Sequence, residues 1–287
     1  MKELLSNPLV LQLIDIAFAE DIGEGDHTSL ATINSNEKGE SIIVAKDDGV
    51  IAGVQLAEFI FNKVDPELKV TLLVNDGDVV KYGDVVMEIA GSSRNMLTAE
   101  RTVLNFIQRL SGVSTQTAKY VRLLNGLNTQ ILDTRKTTPG MRLLEKWAVK
   151  MGGGANHRIG LYDMILIKDN HVDFAGGISA ALSRTKQYLS QNNLELKIEI
   201  ETRTLDEVNQ VLEIGGVHRI MLDNFSPTLL KEAVALINGR FETEASGGIT
   251  LETLRDYAET GVDFISSGAL THSIKALDLS MRAKPII

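Results

Sequence analysis

From residue 130 onward, short apolar runs recur at regular intervals: Ile131-Leu132, then residues 164–167, 197–201, 219–222, 241–245 and Phe264-Ile265. Between them, residues 178–189, 205–212, 227–237 and 251–257 carry apolar positions at helical spacing, with Ser226 and Thr250 where helix caps belong. Strand and helix alternating at a pitch of roughly 20 to 30 residues is the pattern of βα units around a parallel sheet or barrel. The runs number six, fewer than the roughly eight strands of a full (β/α) barrel, so the pattern predicts an incomplete, about six-stranded α/β barrel. The first hundred residues read differently. An amphipathic helix is expected over 8–20 and strands over 41–45, 50–52, 70–74, 79–80 and 87–90, with 70–80 forming strand, turn, strand. Thr98 is placed to cap a helix over 99–110, whose buried stripe is Leu104, Ile107 and Ser111 flanked by Val103, Phe106 and Leu110. Arg101 then falls in a first turn, where the helix dipole disfavours a cation. It is either solvent decoration or a placement kept for a ligand.

What ends each barrel run is chemical. The terminators are Asp133-Thr134-Arg135-Lys136, Lys168-Asp169-Asn170, Glu201, Asp223-Asn224, Ser246-Gly247-Gly248 and Ser267-Gly268. In a βα barrel these C-terminal strand ends converge on one face, where ligands bind. A triple glycine also precedes Ala155-Asn156-His157-Arg158. One wall is therefore cationic (Arg135, Lys136, His157, Arg158, Lys168) and the other acidic or small. Period-two alternation puts Glu199 and Glu201 on one side of their strand, opposite Ile198 and Ile200. Inward-facing carboxylates need a cation, with Lys197 or Arg219 as the structural partner and a metal as the functional one.

Composition sharpens this picture. The 287-residue chain has a formal net charge of -9, so a local basic cluster on it points to an anionic ligand rather than nucleic acid. There are no cysteines, which removes disulfides and thiolate metal sites. No stretch reaches the roughly 20 apolar residues of a membrane span and no secretory h-region opens the chain, so a cytoplasmic setting is expected. Two weaker signals are read as turns: the acidic loop from Glu20 to Thr28 with His27, and Lys46, placed like the lysine of a swinging-arm carrier domain. Glycine-rich turns with free N–H groups seat phosphates. Arginines grip carboxylates bidentately, and paired carboxylates beside phosphate suit Mg²⁺. The expected ligands are a polycarboxylate, a phosphorylated molecule and Mg²⁺. No GxxxxGK[ST] or GxGxxG occurs, which sets aside ordinary NTPase and dinucleotide readings.

Asp133-Thr-Arg-Lys-Thr-Thr-Pro-Gly, Gly-Gly-Gly-Ala-Asn-His157-Arg158, Ile167-Lys-Asp-Asn-His-Val, Glu199-Ile-Glu201, Leu222-Asp-Asn-Phe and Glu244-Ala-Ser-Gly-Gly-Ile-Thr, in this order, closely resemble the quinolinate phosphoribosyltransferase family. The resemblance runs from Glu20-Asp21 to Ser267-Gly268-Ala269-Leu270-Thr271. It implies an open-faced α/β sandwich over 1–112, completed by 272–287, and an α/β barrel over 113–271. It implies transfer of phosphoribosyl from phosphoribosyl pyrophosphate to quinolinate with decarboxylation, in NAD biosynthesis, by a homodimer. By motif, Arg101 from the neighbouring subunit, with Arg135, His157 and Arg158, would bind the quinolinate carboxylates. Lys136 and Lys168 would lie between the two substrates. Glu201 and Asp223 would hold Mg²⁺ and the ribose hydroxyls. Ser246, Gly247 and Gly248, with Ser267, Gly268 and Ala269, would take the 5′-phosphate. Lys136, Lys168, Glu201 and Asp223 are the expected catalytic set. A nicotinate-specific relative needs less basic charge, and the molybdenum-transport accessory proteins share the fold without this established activity.

Overall fold

A computed structural model describes residues 1–284. The chain divides into two compact units: Met1–Ala118, Thr137–Gly153 and the stretch from Leu270 onward, and then Lys119–Lys136 with Gly154–Ala269. The expected boundary at 112/113 falls inside one continuous helix, and residues 137–153 belong to the first unit.

The first unit opens with α1 (Lys2–Leu5), α2 (Pro8–Ile22) and α3 (His27–Thr32). Asn7 starts α2 by accepting the Leu9 N–H, with Pro8 supplying a preset φ where no intrahelical donor is needed. Asp26 does the same for α3 and accepts the Thr98 hydroxyl, so the acidic loop is a capped turn. Next come β1 (Lys38–Ala45), β2 (Gly49–Val50), α4 (Val54–Val64), β3 (Lys69–Leu72), β4 (Val79–Val80) and β5 (Val85–Ser92). The hairpin expected over 70–80 does not form. β3 pairs with β5, and β4 pairs with β2. The main sheet runs β3-β5-β1 and ends on a C-terminal strand.

α5 (Ser93–Leu123) is longer than its periodicity suggested and starts before Thr98, so Arg101 lies inside the helix, exposed, and the dipole conflict disappears. Its apolar stripe is buried as expected. A row of buried hydroxyls extends that stripe: Ser111 bonds both backbone groups of Ala52, and Ser114 donates to the Val50 carbonyl at 2.6 Å. These bonds take the place of a sheet ladder, which is why the strand predicted over 50–52 is only β2.

The second unit begins with β6 (Gln130–Leu132). The chain then returns to the first unit for α6 (Arg142–Met151), where Arg109 holds the buried Glu145 at 2.8 Å and donates to the Thr138 hydroxyl and the Thr271 carbonyl. β7 (Ile165–Ile167), α7 (Asp169–Ala175), α8 (Ile178–Gln191), β8 (Ile198–Thr202), α9 (Leu205–Ile214), β9 (Arg219–Asp223), α10 (Pro227–Ile237), β10 (Glu242–Ser246), α11 (Leu254–Ala258) and β11 (Phe264–Ser266) complete it. Ser226 caps α10 as expected, whereas the N-cap position of α11 is Thr253 rather than Thr250, with no side-chain capping bond. Finally β12 (Leu279–Ala283) pairs antiparallel with β1 in the first unit.

The six strands form one parallel sheet in the order β6-β11-β10-β9-β8-β7, a barrel left open between β6 and β7. Every residue of β8 is buried, as expected of a parallel strand covered on both faces. Ala155 lies alongside β6, exchanging bonds with Ile131 and Asp133, so the segment after the triple glycine lines the free edge.

Candidate active site

All the expected site residues except Arg101 belong to the second unit, and the parallel sheet puts its strand-end residues on one face. Asp133, fully buried at the end of β6, organises the first corner. It accepts the Asn156 side-chain amide and, at 2.9 Å, the His157 N–H. The same strand end thus launches Arg135-Lys136 and anchors His157-Arg158. Along the chain Asp133 is legible only as a strand terminator.

Arg158 is 9 % exposed, and one guanidinium nitrogen donates to the Met164 carbonyl at 3.1 Å. Burial, then the nearby Arg135 charge, push its pKa below the usual arginine value. Two guanidiniums crowded in a partly desolvated corner are stabilised by an anion between them. Lys168, exposed, ends β7 and precedes α7, where its N–H donates to the His171 ring at 2.9 Å. His171 Nδ1 thereby caps the start of α7.

On the opposite wall, Glu201 near the end of β8 and Asp223 at the end of β9 stand on neighbouring strands. Lys168 Nζ lies 3.7 Å from Glu201 Oε2. Burial and then the Asp223 charge push Glu201 above the usual carboxylate range, and burial raises Asp223 as well. Two half-desolvated carboxylates on neighbouring strands, both raised by burial, have the donor chemistry for a hard divalent cation.

The small-residue turns follow β10 and β11. Gly247 and Gly248 have φ +101° and +62°, and a Cβ on Gly247 would collide with the Asn224 side chain. Asn224, itself left-handed at φ 58°, donates its N–H to the Ser246 carbonyl at 2.8 Å and its side-chain amide to Asp223 at 2.6 Å. The tight turn after β10 is thus braced against the carboxylate wall. Ser267 donates its N–H to the Leu132 carbonyl at 3.0 Å, and Ala269 donates to the Ser267 hydroxyl at 3.3 Å.

Below this rim lies a buried cluster only partly anticipated. Glu199 and Glu244 are fully buried, and burial pushes each up to about 7. Arg219, Glu199's neighbour on β9, reaches Glu244 at 2.8 Å and Glu199 at 4.0 Å, and lies 4.0 Å over the Phe264 ring. His157 Nε2 faces Glu199 at 3.1 Å and Glu244 at 3.4 Å, while its Nδ1 accepts the Arg158 N–H at 2.7 Å. The expected Arg219 partner for Glu199 is present. Glu244 was legible only as part of a longer motif, because its partners come from other strands.

An open parallel barrel whose mouth combines paired guanidiniums, a carboxylate pair and glycine turns defines an α/β enzyme built for anionic, phosphorylated ligands. The profile of the quinolinate phosphoribosyl transferase C-terminal domain matches residues 113–282, and that of the N-terminal domain matches residues 26–111. The chain is 50% identical over 286 residues to quinolinate phosphoribosyltransferase [decarboxylating] 2, mitochondrial, of Nicotiana glauca, covering 94% of this chain and 81% of that protein. It is 44% identical over 270 residues to a probable nicotinate-nucleotide pyrophosphorylase [carboxylating] of Bacillus subtilis, covering 94% and 92%. The nicotinate-nucleotide pyrophosphorylase structure from Francisella tularensis superposes with a TM-score of 0.89 at 39% identity, covering 96% of each chain. The chain belongs to the quinolinate phosphoribosyltransferase family.

Proposed function

We propose that this protein transfers the phosphoribosyl group of phosphoribosyl pyrophosphate to quinolinate with loss of CO₂, giving nicotinate mononucleotide and pyrophosphate for NAD biosynthesis. The observation that carries the assignment is the pairing, in one barrel, of a buried guanidinium corner with a carboxylate pair and a braced glycine turn. In this reading Arg158 and Arg135 grip the quinolinate carboxylates, and Arg101 of a second copy completes the pocket in a homodimer. Ser246, Gly247, Gly248, Ser267, Gly268 and Ala269 hold the 5′-phosphate through backbone N–H groups and hydroxyls. Glu201 and Asp223 hold Mg²⁺ and the ribose hydroxyls.

The reaction follows from charge. Departure of pyrophosphate leaves an oxocarbenium-like ribose carbon, as in glycosidic cleavage. Lys136 and Lys168 stabilise negative charge growing on the leaving group, and bound Mg²⁺ supplies further charge neutralisation there. Glu201, with Asp223, faces the ribose and favours its positive character. The guanidinium corner orients the pyridine nitrogen for in-line attack. The positive ring nitrogen then stabilises the electron pair left on C2 as the C2–carboxylate bond breaks and CO₂ departs, and a proton from solvent adds to C2 to give the product.

Cytoplasmic placement is part of the proposal; it rests on the absence of cysteine and of any helix, among the described residues, long and apolar enough to cross a membrane. Plant relatives carry mitochondrial and chloroplastic names, so fractionation decides this point. The activity is tested by mixing protein, quinolinate, phosphoribosyl pyrophosphate and Mg²⁺ and following CO₂ and mononucleotide. Release of both in equal amounts is expected, and their absence overturns the assignment. The Glu201→Gln, Asp223→Asn double variant is expected to lose most turnover and its Mg²⁺ dependence. Unchanged metal titration curves would remove the metal site from these residues.

A further inference from the structure

We propose that His157, Glu199, Glu244 and Arg219 form a buried positioning unit that aims Arg158 at the quinolinate carboxylate, and that His157 acts through Arg158 rather than by touching the substrate. The proposal rests on the quinolinate assignment above and goes beyond it by giving four side chains a role the reaction scheme leaves empty.

The geometry is specific at every link. His157 Nδ1 accepts the Arg158 N–H at 2.7 Å, so in a neutral ring the proton resides on Nε2. Nε2 is turned toward the carboxyl oxygens of Glu199 and Glu244, 3.1 and 3.4 Å away. The ring edge that could meet a ligand is thus directed into the barrel, and the side chain is only 6% exposed. The His157 N–H is fixed by Asp133, and the Arg158 side chain is fixed by the Met164 carbonyl. Arg158 is therefore constrained through its preceding residue, its own backbone N–H and one guanidinium nitrogen. The remaining guanidinium edge is left for an anion.

The two glutamates hold the ring from beneath. They sit on β8 and β10, either side of β9, and Arg219 on β9 bridges toward both. His157, Glu199 and Glu244 could in principle ligate a metal, since one ligand atom of each lies within 4.8 Å of the others. Arg219 argues against that occupant: its guanidinium, held over the Phe264 ring, already supplies the cation at 2.8 Å from Glu244. A divalent ion would have to enter beside that fixed charge. A charge-paired pedestal, with Arg219 bonded to Glu244 and the His157 ring facing both carboxylates, accounts for the same residues without this conflict.

A double-mutant cycle tests the idea. Steady-state kinetics are measured for wild type, Glu244→Ala, Arg158→Ala and the double variant, with both substrates varied. If Glu244 acts through His157 and Arg158, Glu244→Ala raises KM for quinolinate about 10-fold while KM for phosphoribosyl pyrophosphate stays within about twofold. The double variant is then no worse than Arg158→Ala alone, and Glu244→Gln, which preserves shape and hydrogen bonding, recovers most of the loss. Multiplicative effects, a parallel rise in both KM values, or an unchanged quinolinate KM overturns the proposal. Should Glu244→Ala not fold, His157→Gln takes its place in the same cycle, because Gln lacks the acceptor at the Nδ1 position; the same outcomes decide. An inactive wild-type enzyme would instead sink the quinolinate assignment, so the two failures are distinct.

Discussion

Removing the Arg158 guanidinium is the most direct measure of the anion corner. The side chain is 9 % exposed and spends one nitrogen on Met164, leaving the opposite edge for substrate. Hydrogen bonds to a charged partner are worth about 1.5 to 3 kcal/mol, and burial limits solvent screening. Arg158→Ala should therefore raise KM for quinolinate by about 10- to 150-fold, since about 1.4 kcal/mol corresponds to a factor of ten. Because the guanidinium is proposed to bind the intact carboxylate, kcat at saturating quinolinate should fall much less than kcat/KM. The assay is initial-rate CO₂ release over a quinolinate series at saturating phosphoribosyl pyrophosphate. Arg158→Lys should recover only part of the loss, because an ammonium cannot reproduce the planar fork. A quinolinate KM within twofold of wild type would refute the placement of substrate here. So would an equal rise in KM for both substrates, which would indicate general loosening of the barrel mouth.

Two further outcomes test other parts of the structure. Gly247→Ala should weaken phosphoribosyl pyrophosphate binding and destabilise the fold by about 1 to 3 kcal/mol, because φ +101° disfavours a side chain and the new Cβ meets Asn224; normal affinity and an unchanged melting temperature would contradict the bracing argument. The buried Glu199–Glu244 pair makes a signed prediction about pH. Burial raises both to about 7 from the ordinary 4.5, so the folded state binds protons more tightly than the unfolded chain between those values. The stability they contribute is full below pH 4.5 and is lost as pH rises through 7, by about 3 kcal/mol for one shared proton. Denaturation midpoints at pH 5, 6.5 and 8 should show wild type losing stability relative to Glu244→Gln as pH rises, and a constant difference would exclude the coupling.

Much of this protein was legible along the chain because local rules govern it. Each barrel strand announced itself as an apolar run ended by a chemical residue, and Ser226 marked its helix because a capping hydroxyl acts within three residues. The family motifs named the rim for the same reason: they are contiguous stretches at strand ends. Local rules failed where partners are remote. Nothing in residues 70–80 says that β3 will pair with β5 and β4 with β2, since strand pairing is settled by which edges the rest of the sheet leaves open. Nothing near Thr98 says that α5 begins at Ser93, because its first turn is held by remote partners, the Glu37 and Ile33 carbonyls and the Asp65 carboxylate. The same limit applies to the site. Composition and spacing placed His157 among cations awaiting an anion, but the direction of its ring is decided by two carboxylates that only the sheet brings beneath it. Residue types are chosen one position at a time; which way a buried polar group faces depends on every strand around it, because an unpaired charge there costs more than any local preference can offset.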